Sequence, residues 1–146
     1  MKPPEQVRLE LVKQWLSKAN EDLSVAVYLL SGGPPFPNAV AFHAQQAAEK
    51  FTKAVLVRLG VEFPKTHDLE QLIDLVASMN GPLSEALRPA ASLNPYSVEV
   101  RYPSESPALT QEEAKAATSL AARVRDNVLE FLAEYLAPKN NCEKSG

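Results

Sequence analysis

The sequence predicts an all-α protein, an up-and-down antiparallel helical bundle of four to five helices with one long loop before the last helix. Three long segments, at 5–30, 37–60 and 110–137, carry apolar residues at helical spacing. Clusters of proline and glycine separate the helical segments, and strand-like alternation is confined to residues 97–100. Long helices joined by such breaks favour a bundle whose successive helices pack antiparallel.

Length and composition indicate one ordinary globular domain. The 146 residues are 45% hydrophobic and 23% charged, which predicts a bundle over 5–137 and a disordered polar tail over 138–146. A formal net charge of −3 argues against non-specific coating of nucleic acid. The single cysteine, Cys142, excludes an internal disulfide. No signal peptide or membrane span is recognisable, so we expect a cytoplasmic protein.

The first helix is predicted over 5–30. Its apolar positions are Val12, Trp15, Leu16, Ala19, Leu23, Ala26, Val27 and Leu30. Asp22 on this helix has two interpretations. It pairs with Lys18, one turn away on the surface, or it faces inward toward a basic residue of the second helix. The cluster SGGPPFPN at 31–38 ends this helix and begins the next.

The second segment, 37–60, is predicted to be the central helix, with Pro37 at its start and Gly60 at its end. Small apolar residues cover nearly every side of it, so other helices can approach all round. Polar residues stand among these alanines, namely His43, Gln45, Gln46, Glu49, Lys50 and Lys53. If the helix is buried, several of these polar groups must find partners. His43 and Lys50 lie on one face of the helix.

The remaining elements are shorter until the last helix. Thr66 is the predicted N-cap of a third helix with an apolar stripe that ends at Met79. A fourth helix is predicted over 83–93 with a kink at Pro89, followed by a long loop over 94–109. The last helix begins at Thr110, where Glu113 completes a capping box, and ends before Pro138.

The sequence lacks the motifs of several classes of enzyme and binding site. Neither histidine has metal-ligand spacing, so no metal site and no cofactor are predicted. No G-x-S-x-G turn and no G-x-x-x-x-G-K-[ST] loop occur. His67 is interpreted as a polar residue at a helix N-terminus. In the long loop, Arg101 has two interpretations, an ion pair with an acidic residue of the first or last helix, or a contact to phosphate.

Four motifs together resemble the HEPN domain of bacteria and archaea. They are W-x-x-x-A-x-x-D-L (15–23), F-H-A-Q-Q-A-A-E-K (42–50), T-H-D-L (66–69) and R-Y-P (101–103). They occur in order and cover nearly the whole chain. The resemblance implies an up-and-down helical bundle that usually dimerises, in agreement with the pattern of helices.

The resemblance also implies functions. Many HEPN proteins are metal-independent ribonucleases, often toxins paired with a small nucleotidyltransferase, and their site combines an Arg with a His four to six residues later. Here no histidine follows His67, and eight residues separate Arg58 from His67. The chain therefore resembles the R-Y-P branch of the family, a branch associated with binding of nucleotides or nucleic acid.

We thus expect a non-catalytic module that binds a nucleotide, a nucleic acid or a nucleotidyltransferase partner, as one half of a toxin–antitoxin-like pair. The resemblance assigns ligand binding to Arg101 and Tyr102, and to His43, Gln45, Gln46 and Lys50 as further candidates. The alternative is a metal-independent ribonuclease in which His43 supplies the displaced base beside Arg101. A third hypothesis is a helical adaptor in which Arg101 is only structural.

Overall fold

The computed structural model describes residues 4–97 and 108–138. Five α-helices and one 3₁₀ segment make up this part of the chain, which contains no strand. The elements are α1 (Pro4–Leu30), α2 (Pro37–Leu59), α3 (Leu69–Ala77), α4 (Gly81–Leu87), a 3₁₀ segment (Arg88–Tyr96) and α5 (Gln111–Leu136). The all-helical bundle predicted from the sequence is confirmed.

Helix α2 is the central element of the bundle. It packs against α1 on one side and α5 on another, whereas α1 and α5 touch each other little. Thirteen of its residues are buried, among them Ala41, Ala44, Ala47 and Ala48. Because alanine keeps the helix surface narrow, α1 and α5 can both approach the α2 backbone closely. Phe51 and Leu56 are the largest apolar side chains that α2 buries completely.

The predicted ends of α2 are confirmed. Pro37 occupies the first turn, where its missing N–H costs no hydrogen bond. Gly60 ends the helix with φ of 72°, a left-handed conformation that favours glycine. Its backbone N–H donates to carbonyls of the last turn, at Leu56 and Val57. The chain therefore leaves α2 in a defined direction toward α3.

Two predictions about α3 are wrong. Asp68, not Thr66, is the N-cap, since its carboxylate accepts from the backbone N–H of Gln71 at 3.2 Å. The Thr66 hydroxyl accepts instead from the N–H of Asp68, two residues later, so Thr66 lies before the cap. Met79 lies beyond the end of α3 and is exposed, so it does not extend the apolar stripe.

The fourth helical region also differs from the prediction. The α-helix begins earlier, at Gly81, where Asn80 caps it, and ends at Leu87. From Arg88 the chain continues as a 3₁₀ segment to Tyr96, because Pro89 and Pro95 each lack an N–H for an α-helical bond. Asn94, predicted to open the loop, lies in this segment and accepts from the backbone N–H of Leu69 at 2.7 Å.

Helix α5 begins with the predicted capping box. The Thr110 hydroxyl accepts from the N–H of Glu113, and the Glu113 carboxylate accepts from the N–H of Thr110. The predicted strand-like residues 98–100, most of the long loop and the tail from 139 on lie outside the described ranges. None of the helices in the described part of the chain is long and apolar enough to cross a membrane.

Replacing Thr110 with alanine is expected to lower the free energy of unfolding by about 1 kcal/mol, because the backbone N–H of Glu113 loses the Thr110 hydroxyl that accepts its hydrogen bond. The measurement is urea unfolding followed by circular dichroism. Ser119→Ala, at an exposed position inside α5, is the matched control and should change the value by less than about 0.5 kcal/mol. Equal losses in both variants would contradict a capping role.

Candidate functional site

The polar residues of α2 form two clusters at the helix surface. The first, the Asp22 cluster, consists of Asp22 on α1 with His43 and Lys50 on α2. Asp22 Oδ1 lies 2.8 Å from His43 Nδ1, and Asp22 Oδ2 lies 2.5 Å from Lys50 Nζ. Of the two interpretations of Asp22, the inward one is correct. Its carboxylate links α1 to α2, and its partners are His43 and Lys50 rather than Lys18.

The Asp22 cluster is partly buried. The His43 and Lys50 side chains are 28% and 23% exposed, and the Asp22 side chain 13%. An ionised carboxylate can only accept hydrogen bonds, so a neutral His43 carries its proton on Nδ1 and has its lone pair on Nε2. The Lys50 ammonium has three N–H donors, and one of them donates to Asp22. Asp22 thus fixes the orientation of two groups that both reach solvent.

The second group, the Glu49 cluster, consists of Gln45, Glu49, Lys53 and His67. Glu49 is 2% exposed, and its Oε2 accepts from Lys53 Nζ at 3.0 Å. Its Oε1 lies 2.9 Å from His67 Nδ1. Gln45 Nε2 donates to the backbone carbonyl of His67 at 3.2 Å. These contacts attach the connection between α2 and α3 to the side of α2.

Lys53 in this cluster is stabilised from two directions. Its ammonium group lies 5.3 Å from the ring centroid of Trp15 and 5.9 Å from that of Phe63. The two rings meet edge to face, with their centroids 6.3 Å apart. Glu49 neutralises the charge, and the aromatic faces provide a cation–π environment for the buried ammonium.

Gln46 contacts the Glu49 cluster and lies beside the Asp22 cluster on α2. Its Nε2 donates to Gln45 Oε1 at 2.7 Å, and it lies one turn from both His43 and Lys50 on α2. Of the predicted residues, His43, Gln46 and Lys50 are partly exposed on one side of α2, whereas Gln45 is fully buried and holds the backbone carbonyl of His67. Arg101 and Tyr102, the other predicted site residues, lie outside the described residues.

Four members of the two clusters were not assigned to the site from the sequence: Asp22, Glu49, Lys53 and His67. The Gln45–Glu49–Lys53 spacing of four residues is a signal that could have suggested the Glu49–Lys53 pair. His67 was predicted at the start of the third helix and lies two residues before α3, and its pairing with Glu49 joins residues 18 positions apart and has no local signal. Its side chain remains 68% exposed, with Nδ1 on the buried carboxylate.

The chemistry open to this surface is that of hydrogen bonding and proton transfer. Both histidines hold a carboxylate through Nδ1, an arrangement that fixes the ring and orients Nε2. Among the residues that the structure describes, no group of three or more His, Cys, Asp or Glu side chains could hold a metal ion.

Comparison with known proteins identifies the family. The model of the HEPN domain matches residues 12–132. Among solved structures, the crystal structure of an archaeal HEPN homologue superposes with a TM-score of 0.63 at 26% sequence identity. The match covers 83% of this chain and 97% of that chain. No curated protein matches the sequence. The family match spans most of the bundle, including both polar clusters, and the chain therefore belongs to the HEPN domain family.

Proposed function

We propose that this protein is a non-catalytic HEPN module that binds a nucleotide or an RNA strand and works beside a small nucleotidyltransferase. The observation that carries the proposal is that one carboxylate, Asp22, holds both the His43 imidazole and the Lys50 ammonium at a partly buried site that reaches solvent. Donors held in place before binding lose little conformational freedom when a phosphate arrives. The Asp22 cluster is thus suited to recognition of an anionic ligand.

The sequence supports binding over cleavage. No histidine follows His67, so the Arg-to-His spacing of the family's ribonucleases is missing. Arg101 and Tyr102 would complete the site, since a guanidinium suits phosphate and a phenol ring suits a base. We assign these two roles from the R-Y-P resemblance. A homodimer and a toxin–antitoxin-like pairing with the nucleotidyltransferase belong to the same proposal.

A second candidate function is metal-independent RNA cleavage, and the Asp22–His43 contact favours it. A histidine oriented by a carboxylate through Nδ1 is the arrangement of a general base. In that reaction His43 Nε2 would take the proton of a ribose 2′-hydroxyl while the 2′-oxygen forms a bond to phosphorus. The bond from phosphorus to the 5′-oxygen would break to leave a 2′,3′-cyclic phosphate, and the departing 5′-oxygen would take a proton from water. Arg101 would stabilise the charge on the phosphoryl oxygens.

One experiment separates the two functions. A fluorescent single-stranded RNA is incubated with the protein in EDTA, binding is measured by anisotropy, and cleavage is measured on a gel. We expect the RNA to bind and stay intact, and Arg101→Ala and Lys50→Ala each to weaken binding about tenfold, or about 1.4 kcal/mol. Lys115→Ala, an exposed lysine of α5 paired with Glu112, is the control and should bind like wild type.

Other results would change the assignment. Cleavage in EDTA that disappears in His43→Ala would establish the ribonuclease instead. Binding equally weakened in Lys115→Ala would mean attraction by charge alone, without a site. Co-expression with a small nucleotidyltransferase and size-exclusion chromatography tests the partner, and separate elution of the two proteins would contradict that part of the proposal.

A further inference from the structure

A small pocket lies on the side of α5 that faces α4 and the 3₁₀ segment. Both of these elements contact α5, and a space of about 220 Å³ remains between them. This volume is below the range of sites for drug-sized ligands, so the pocket suits a smaller molecule. No member of the Asp22 cluster or the Glu49 cluster lines it. The pocket is therefore separate from the surface described above.

The floor of the pocket is apolar. Leu87 and Ala90 line it from one side, and Leu120 and Val124 line it from α5. Leu120 and Val124 are four residues apart and so lie on the same face of α5. None of these four side chains carries a polar atom. The floor thus suits a short aliphatic group, which gains free energy when its apolar surface leaves water.

A guanidinium without a partner lies at the rim of the pocket. Arg123 is exposed and lines the pocket next to Val124. Within the part of the chain that the structure describes, Arg123 makes no hydrogen bond and no ion pair. All its N–H donors are therefore open to a ligand. A guanidinium binds a carboxylate through two parallel hydrogen bonds, so the rim suits a carboxylate group.

A carboxylate with one open oxygen lies beside this guanidinium. Asp126 lines the same pocket, one turn after Arg123 on α5. Its Oδ1 accepts from Arg125 Nε at 3.0 Å, and Arg125 Nη2 lies 3.0 Å from the same oxygen. Among the described residues, none donates a hydrogen bond to Asp126 Oδ2. The rim thus presents a cation and an anion that are neighbours on the helix but are not paired with each other.

The pair of opposite charges decides between classes of ligand. A phosphate has no group that donates to Asp126 Oδ2, and its charge would lie beside that carboxylate. A simple aliphatic acid matches Arg123 but also leaves Asp126 Oδ2 without a donor. A zwitterion with an aliphatic tail matches the guanidinium, the carboxylate and the apolar floor together.

We propose that this pocket binds a free α-amino acid with an aliphatic side chain. Arg123 receives the α-carboxylate, Asp126 Oδ2 accepts from the α-ammonium, and the side chain lies against Leu87, Leu120 and Val124. L-leucine is the probe, because its branched side chain is short and fully apolar. This ligand class and this face of the bundle differ from those of the proposed function, so neither proposal depends on the other.

The test is titration of the ¹⁵N-labelled protein with L-leucine, followed by two-dimensional NMR. We expect shifts of the amide signals of Ala90, Leu120 and Arg123. Arg123→Ala and Asp126→Asn should each weaken L-leucine binding about tenfold, since each removes a charged partner of the ligand. Arg8→Ala is the matched control and should bind as wild type, because this arginine lies on α1 against Gly60.

Three analogues of leucine examine the three contacts separately. Isocaproate lacks the ammonium, isopentylamine lacks the carboxylate and glycine lacks the side chain, so each should bind about tenfold more weakly than L-leucine. Asp126→Asn should leave the affinity for isocaproate unchanged, because this analogue has no ammonium. Ala86→Leu enlarges an exposed side chain that lines the pocket and should also weaken L-leucine binding.

The inference would be overturned by an absence of shifts with L-leucine, or by shifts located away from the pocket. Isocaproate that binds as tightly as L-leucine would show a carboxylate site without recognition of the ammonium. Glycine that binds as tightly would exclude the apolar floor. Ala86, Arg123 and Asp126 are exposed, so we expect their variants to fold and to bind RNA as wild type.

Discussion

Replacing Glu49 with alanine is expected to lower the free energy of unfolding by about 3–5 kcal/mol. The reason is that Lys53, only 9% exposed, would keep its charge inside the bundle without its carboxylate. Trp15 and Phe63 would still offer their ring faces to the ammonium, but a cation–π contact does not replace an ion pair. His67 and Gln45 would also lose an acceptor. Urea unfolding followed by circular dichroism measures the loss.

Two further variants make this prediction specific. Glu130→Ala removes an exposed carboxylate of α5 and should change stability by less than about 0.5 kcal/mol. The double variant Glu49→Leu with Lys53→Met removes both charges and keeps apolar volume, so it should recover most of the lost stability. A double variant as unstable as Glu49→Ala would show that the packing of these side chains, and not the unpaired charge, accounts for the effect.

The second large effect is expected for Asp22→Ala, which should lower the free energy of unfolding by about 2–3 kcal/mol. The cost is smaller than for Glu49 because His43 and Lys50 reach solvent and can be partly hydrated. Glu21→Ala, which removes the exposed carboxylate next in sequence, is the matched control and should leave stability nearly unchanged. Equal losses in the two variants would contradict the assignment of Asp22 as the acceptor.

A double-mutant cycle isolates the contact between Asp22 and Lys50. Asp22→Ala should cost less in a Lys50→Ala background than in wild type, with a coupling energy of about 0.5–3 kcal/mol. The same variants connect stability to function. Asp22→Ala releases the imidazole and the ammonium from a common carboxylate, so RNA affinity should fall even in the fraction of protein that remains folded.

The two carboxylates have different consequences for function. Glu49 is buried, and it contacts Gln45, Lys53 and His67. Its removal should therefore lower the free energy of unfolding more than it changes ligand binding. Asp22 holds His43 and Lys50, which both reach solvent. Its removal should therefore lower both the free energy of unfolding and the affinity for ligand. Comparing RNA affinity at equal stability in the two variants therefore tests whether the Asp22 cluster is the functional part of the polar surface.

Local sequence determined most of the secondary structure. Pro37 and Gly60 limit α2, and the Thr110–Glu113 box begins α5, because each acts on backbone groups within one turn of itself. The errors occurred where two local signals compete. Thr66 and Asp68 are both good N-cap residues. Asn94 contacts Asp68 and Leu69 from about 25 residues away and so favours Asp68 as the N-cap.

The candidate site was only partly determined by sequence. The helical wheel placed His43 and Lys50 on one face, and the resemblance named them with Gln45 and Gln46. The acidic partners of the two histidines, Asp22 and Glu49, could not be assigned to the site in the same way. Asp22 lies 21 residues from His43, and Glu49 lies 18 from His67, so each contact depends on how helices and their connections pack.

The sequence by itself therefore determined the helices, their order and the family, because periodicity, caps and motifs are local properties of the chain. Only the tertiary structure decided which charges are paired, that Glu49 is enclosed while His67 is exposed, and that the 3₁₀ segment and α5 leave a pocket beside Arg123. The physical reason is that burial and ion pairing depend on distances between elements, and packing around α2 sets those distances.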